Sequence, residues 1–358
     1  MNENLPAEGE PQISGQTNGS NVLGTRKLHI MAAVLVIATV VIFINYQQQT
    51  NAAGNGKIVL PKTDATNNQQ LFSINPDGTG MVQLTFNPAT STASSSNAWP
   101  SFSPNGAYIA YTCVNSYIPG GTPVPANVCI MNANGSGQHQ IKSRAYGPDW
   151  HPAGDIIAYS SDTSGNEEIW TMDTNGNNAT RLTNGPTEYK NTAPSWSPDG
   201  TKMVYARIND NSTTTKVSVW MMNADGSNKH ELTVASSSGN WYNYLSNGQI
   251  GTTANDANAP SWGPTGVITF WAGIRMSYGQ IWKINSDGSG RQQLTFNAAD
   301  TYNDEPSWSP DSNWILYSSS VSGVFAKWKM STNGTNQSAI TPVTSGPLPA
   351  FASWQPVP

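Results

Sequence analysis

Pro194-Ser195-Trp196-Ser197-Pro198-Asp199-Gly200 decides the fold, because the phrase comes back. It returns as Pro260-Ser261-Trp262-Gly263-Pro264-Thr265-Gly266 and as Pro306-Ser307-Trp308-Ser309-Pro310-Asp311. Looser copies are Pro100-Ser101-Phe102-Ser103-Pro104-Asn105-Gly106 and Pro148-Asp149-Trp150-His151-Pro152, and a last fragment is Ser353-Trp354-Gln355-Pro356. The lead aromatics fall at 102, 150, 196, 262, 308 and 354, mostly 46 residues apart. A period of that size marks a repeat array in which each copy is one supersecondary unit.

A second phrase runs between the copies. An aromatic or Cys is followed six residues later by Gly and six later again by an aliphatic, as in Phe72-Gly78-Leu84, Cys129-Gly135-Ile141 and Trp170-Gly176-Leu182. Trp220-Gly226-Leu232, Trp282-Gly288-Leu294 and Trp328-Gly334-Ile340 complete the set. The residue before each Gly is Asp77, Asn134, Asn175, Asp225, Asp287 or Asn333. Asp-Gly and Asn-Gly are strong hairpin signals, and the expected turn is type I′, with positive φ at both central residues. Nine residues after each lead aromatic stands Tyr111, Tyr159, Tyr205, Trp271 or Tyr317, inside a short apolar run. One repeat thus reads strand, Pro-Asp-Gly turn, strand, variable loop, strand, Asp/Asn-Gly turn, strand. That is a four-stranded antiparallel blade.

The expected fold is all-β: a six-bladed β-propeller over residues 57–358. Residues 57–85 lack a lead strand and Ser353-Trp354 lacks followers, so the C-terminal strand is expected to complete the first blade and remove open sheet edges.

The repeat resembles the TolB-type propeller, a relative of WD repeats, over residues 57–358. The resemblance is carried by the lead phrase at 194–200, by Trp220-Met221-Met222-Asn223-Ala224-Asp225-Gly226-Ser227, and by Leu232-Thr233. It implies the propeller fold. Such propellers occur in a periplasmic protein, beside the hydrolase domain of prolyl-peptidase relatives, and in some pectin-fragment lyases.

Ahead of the repeats, residues 1–27 are polar and read as a disordered cytoplasmic tail. The apolar run 28–46 follows the basic pair Arg26-Lys27 and reads as one N-terminal transmembrane helix, with the propeller outside the cytoplasm. The alternative is a signal sequence cleaved near Thr50-Asn51-Ala52, leaving a secreted or periplasmic protein. Residues 47–56 read as a linker.

Of the 358 residues, 11% are charged, and the net charge is −5. No basic tract lies past Lys27, which argues against a nucleic-acid partner. There is no G-x-S-x-G elbow and no H-E-x-x-H. The four histidines, His29, His139, His151 and His230, fall on separate units. No catalytic residue, metal site or cofactor is expected.

Binding is expected on the face that gathers the long loops. Those loops carry Tyr117, Tyr189, Trp241, Tyr242, Tyr244 and Tyr302, and the insertion 235–259 widens one spacing to 66 residues. Asn97, Asn191 and Asn303 each stand five residues before a lead aromatic, which places them near the mouth of the central channel beside Asp304 and Glu305. A mouth of that chemistry suits a peptide amine or a cation; alternatively, the three Asn satisfy turn backbone. Cys113 and Cys129, the only cysteines, flank one loop on adjacent strands and suit a disulfide in an exported protein. The function expected is a membrane-anchored extracytoplasmic binding or scaffold module for protein or peptide partners. The alternatives are a propeller lyase or hydrolase acting on polysaccharide or peptide, and a purely structural surface protein.

Overall fold

The computed structural model describes residues 54–65, 68–86, 94–117, 125–211, 214–233, 259–274, 278–296, 301–341 and 351–357. The chain divides into Met1–Gln49 and Thr50–Pro358, and all described residues lie in the second unit. The run 28–46 is outside them. Among the described residues no helix is long and apolar enough to cross a membrane.

Every regular element described is a strand. β1 (Gly54–Thr63), β2 (Gln69–Ile74) and β3 (Val82–Gln83) form an antiparallel meander. The next four are β4 (Ser94–Phe102), β5 (Tyr108–Tyr117), β6 (Asn127–Asn132) and β7 (His139–Ser143). Then come β8 (Ala145–Trp150), β9 (Ile156–Ser161), β10 (Glu168–Asp173) and β11 (Thr180–Arg181). β12 (Tyr189–Trp196), β13 (Lys202–Asn211), β14 (Thr214–Asn223) and β15 (His230–Glu231) follow. β16 (Ser261–Trp262), β17 (Val267–Ile274), β18 (Tyr278–Asn285) and β19 (Gln292–Gln293) make another group. The last are β20 (Asn303–Trp308), β21 (Trp314–Ser319), β22 (Ala326–Ser331), β23 (Ser338–Ala339) and β24 (Ser353–Val357).

The architecture is an all-β propeller of four-stranded antiparallel blades. Its hydrogen bonding differs from six separate blades. β8–β11, β12–β15, β16–β19 and β20–β23 are four separate four-stranded sheets. The other eight strands share one sheet, ordered β24-β1-β2-β4-β5-β6-β7 with β3 on β2. The joint is a single parallel pairing of Gln69 with Ser96. A side-chain bond explains the fusion: the Ser96 hydroxyl donates to Gln69 Oε1 at 2.7 Å, drawing β4 against the start of β2. The C-terminal strand closes on the first one, with Trp354 opposite Ile58.

Apolar packing lies between successive sheets. Ala158, Ile169 and Leu182 meet Trp196, Met203, Tyr205 and Met222 of the next sheet. Val204, Val219, Met221 and Leu232 meet Ile268, Phe270 and Ile284 in the same way. The lead aromatics Phe102, Trp150, Trp196, Trp308 and Trp354 are all buried.

The Asp/Asn-Gly hairpins differ from the expected type I′. Gly226 takes φ +80°, but Asp225 is not in the positive-φ region. The Gly226 N–H donates to the Asn223 carbonyl at 2.9 Å, and Asp225 Oδ1 accepts from the Ser227 N–H at 2.9 Å. The Asp is chosen for this side-chain bond two residues on, which builds a longer turn. The Gly is doubly required, because a Cβ there would lie 2.8 Å from the Leu182 carbonyl of the preceding sheet.

The threonine that follows the last aliphatic in five of the six repeats has a polar task; the β4–β7 unit carries Lys142 there. The Thr85, Thr183, Thr233, Thr295 and Thr341 hydroxyls accept from the N–H groups of Leu71, Ile169, Val219, Ile281 and Lys327, at 2.8–3.0 Å. In three units the same hydroxyl also donates to the side chain one residue earlier. Thr85 and Thr295 bond Gln70 Oε1 and Gln280 Oε1 at 2.6 Å, and Thr183 bonds the Glu168 carboxylate. The next unit reaches back to these acceptors. Asn97 donates to Gln70 Oε1 at 3.0 Å, Asn191 to Glu168 Oε2 at 2.8 Å, and Asn303 to the Gly279 carbonyl at 3.1 Å and Gln280 Oε1 at 3.4 Å. Each trio is buried.

Cys113 on β5 and Cys129 on β6 are joined by a disulfide, their Cα atoms 5.9 Å apart.

Removing one latch donor leaves a buried acceptor short of a partner. Asn191→Ala is expected to lower unfolding free energy by about 1–3 kcal/mol in urea denaturation. An unchanged midpoint and slope would show that the latch does not support the fold.

Candidate functional site

In five of the six units a left-handed residue stands in or just ahead of the lead strand, immediately before its proline. Trp99, Gly147, Ala193, Ala259 and Glu305 have φ of 50°, 59°, 52°, 39° and 51°, ahead of Pro100, Pro148, Pro194, Pro260 and Pro306. Non-glycine residues seldom adopt this conformation. In four units it coincides with a break in strand register: Ala98 to Ser101, Tyr146 to Asp149, Thr192 to Ser195 and Asp304 to Ser307. These are β-bulges, which bend a strand and re-aim its side chains. The preceding unit holds two of them by hydroxyls: Thr112 accepts from the Gly147 N–H at 2.9 Å, and Ser160 from the Ala193 N–H at 3.1 Å.

The bulged segments surround a cavity of about 780 Å³. One side of its lining is aromatic. Trp99 lies 5.2 Å from Tyr146 and 5.7 Å edge-on from Phe351, between ring centroids. Trp271 and Tyr302, 5.9 Å apart, also line it. The other notable lining groups are carboxylates: Asp149, Asp162, Glu167, Asp304 and Glu305. Two of these are neutralised. Arg144 grips Asp162 with two bonds of 3.0 and 2.7 Å, and buried Lys327 approaches Glu305 Oε2 at 3.4 Å. Burial and the adjacent Glu167 push the Tyr146 hydroxyl well above the ordinary phenol range.

Asp149 stands where the other units carry Ser101, Ser195, Ser261, Ser307 and Ser353. That serine links units: Ser353 Oγ accepts from the Phe102 N–H, and Ser195 Oγ from the Trp262 N–H. Asp149 Oδ2 does the same for the Trp196 N–H at 2.8 Å, and Oδ1 accepts from Ser101 at 3.3 Å. Burial pushes its carboxyl up to about 6, against the pull of these donors.

The expected site residues divide. Tyr302 is 4% exposed, not a surface aromatic; it lines the cavity and packs on Trp271 and Phe325. Asp304 also lines the cavity. Asn97, Asn191 and Asn303 lie outside its wall, bonded into the latches between units. Tyr189 is half-buried under the Arg207 guanidinium, 4.1 Å from its ring centroid. Tyr117 ends β5, with its side chain outside the described atoms; Trp241, Tyr242 and Tyr244 lie outside the described residues. Trp99, Tyr146, Asp149 and Phe351 were not singled out from the sequence. The available signals were the residue before each repeat proline and the one Asp in a Ser position.

The described histidines do not meet. His139 Nδ1 and His230 Nδ1 contact carbonyls two residues back, and His151 lies against Trp196 and Asp155. Among the described residues no group of three or more His, Cys, Asp or Glu is placed to hold a metal ion.

The raised Asp149 carboxyl has a definite linkage sign. The folded state binds this proton more tightly than the unfolded chain, whose aspartates titrate near ~4. Stability from this group is complete below that range and is lost as pH rises through about 6. Asp149→Asn, which keeps an acceptor for Trp196, is expected to abolish that decline. Urea midpoints of both proteins across this window, falling in parallel, would contradict the assignment.

Comparison with known proteins places the similarity over part of the chain. The family model described as the TolB beta propeller domain matches residues 90–241. An uncharacterized protein of Agrobacterium fabrum is 30% identical over 105 residues, 28% of this chain. That match spans only 33% of the relative's length. Among solved structures, TolB from Acinetobacter baumannii superposes with a TM-score of 0.61 at 17% identity, covering 86% of this chain and 69% of that one. A putative TolB from Agrobacterium tumefaciens gives a TM-score of 0.55 at 17% identity, with 85% and 99% coverage. With the repeat phrases, the bulged inner strands and this family match together, the chain carries a TolB-like β-propeller.

Proposed function

We propose that this protein is a binding and scaffold module working outside the cytoplasm, and that its central cavity receives a peptide segment of a protein partner. One observation carries the reading. The cavity of about 780 Å³ combines the aromatic surface of Trp99, Tyr146 and Phe351 with the carboxylates of Asp149 and Asp304. Rigid aromatics contribute much contact free energy at little entropic cost, and carboxylates suit amino or guanidino groups.

On this reading the eight-stranded sheet counts as two blades, β24-β1-β2-β3 and β4–β7, so the ring has six. Each half repeats the four-strand unit, and the single Gln69–Ser96 pairing is their joint. The run 28–46 holds the propeller at the membrane, or is removed as a signal and leaves it secreted or periplasmic. Tyr117, Trp241, Tyr242 and Tyr244 are further proposed contacts for the partner.

Affinity capture from native membranes tests the proposal, with full-length protein as bait beside Trp99→Ala. A protein partner retained by the parent and reduced about ten-fold or more by the substitution, at unchanged melting temperature, is the expected result. Equal retention by the folded variant, or no partner, would remove the cavity from consideration.

A further inference from the structure

A second cavity, of about 400 Å³, shares no lining residue with the first. It lies between the β8–β11 and β12–β15 sheets, and its lining includes Arg181, Asn184, Gly185, Pro186, Arg207 and Lys229. Three cations therefore border it. The carboxylate bonded to this wall, Glu168, is fully buried and already engaged. It accepts from Arg181 Nη2 at 3.0 Å, the Gly185 N–H at 2.8 Å, Asn191 at 2.8 Å, and the Thr183 hydroxyl. Its negative charge is balanced by Arg181, so Arg207 and Lys229 leave the pocket cationic.

Arg207 is held in an unusual way. Its guanidinium carbon lies 4.1 Å from the Tyr189 ring centroid and 4.4 Å from that of Trp220. Its Nε is buried and has no hydrogen-bond partner among the described residues. A guanidinium clamped by two rings has lost its rotamer freedom before any ligand arrives, and its planar fork matches the two oxygens of a carboxylate.

The repeat itself shows that the fold does not require this residue. At the matching register position of the second strand, four other units carry Cys113, Ser161, Ala272 and Ser319 where this one has Arg207, and the first unit carries Lys62, 5.5 Å from the Phe72 ring centroid. Tyr189 stands alone: seven positions before the lead aromatic, its counterparts are Ser95, Ser143, Asn255, Thr301 and Pro347. Arginine and its second aromatic wall occur together in one unit, beside the one cavity lined by Arg181 and Lys229.

We infer that this inter-blade pocket is a binding site for a carboxylate group, with Arg207 as the residue that recognises it. Arg207 supplies the in-plane donors, Lys229 adds attraction, and the Leu182–Pro186 loop forms the wall. The site is independent of the central cavity and of the peptide reading given above.

Isothermal titration of the full-length protein tests it with three short peptides. One has capped ends and glutamate side chains, one has neutral side chains and a free C-terminal carboxylate, and one is neutral and capped. Saturable binding of a carboxylate-bearing peptide is expected, and the one that binds identifies the source. Its affinity should fall ten-fold or more in Arg207→Ser, and weaken in about 0.5 M salt, where the Debye length has shrunk to roughly 4 Å. Serine occupies this position in two other units, so the variant should fold, as a melting curve will check. Trp99→Ala should bind these peptides unchanged. No binding by either carboxylate peptide, equal affinity in Arg207→Ser, or equal binding of the neutral capped peptide would overturn the assignment.

Discussion

A threonine hydroxyl that accepts one bond and donates another does much to hold this ring together. Thr183 shows the arrangement: it accepts from the Ile169 N–H and donates to Glu168, which also receives Asn191 from the next unit. A propeller blade is a small twisted sheet and cannot bury both faces alone. Apolar packing between Leu182 and Trp196 brings neighbours together but does not set their angular position. Hydrogen bonds do, because they are directional and a buried acceptor left open is costly. The Gln70–Thr85–Asn97 and Gln280–Thr295–Asn303 copies apply the same constraint elsewhere around the ring.

With the blades positioned this way, the inner strands face one another across a limited space. A straight inner strand would alternate its side chains across the two sheet faces. The left-handed residue before each proline breaks that alternation and gives the cavity its lining. Proline suits the position because it has no N–H to waste where the ladder is interrupted. The cost is backbone strain at Trp99, Ala193, Ala259 and Glu305, which only a structure tied down on both sides retains. Thr112 and Ser160 tie two of these bulges from behind.

The repeat provides its own reference for what is structural. Where most units agree, as in the threonine that ends five of the six, the residue serves the fold. Where one unit departs, a local reason is needed. Asp149 in a serine position places a carboxyl in the cavity wall while keeping the serine's bond to the next backbone N–H. Arg207, where four other units carry Cys, Ser or Ala, fills a site between blades with a charge clamped by two rings. Such departures are more informative about binding than the count of loop aromatics. Tyr302, read as a surface residue because it lies beyond a long loop, is buried against Trp271 and Phe325.

By itself the sequence determined the strand class, the four-strand unit, the closure of the last strand on the first, and the placement of Cys113 beside Cys129. Those features are local: turn chemistry, alternation and spacing recur every 46 residues and are read without knowing what faces what. The tertiary structure alone decided the rest. It turned Asn97, Asn191 and Asn303 from expected channel-mouth groups into latches between units, since their partners lie 23 to 27 residues away on another unit. It fused eight strands into one sheet through Gln69 and Ser96. It also assembled each cavity from segments far apart in the chain. Side chains such as Trp99 and Phe351 meet because a ring brings its ends together, and no local pattern records which residues will then share a wall.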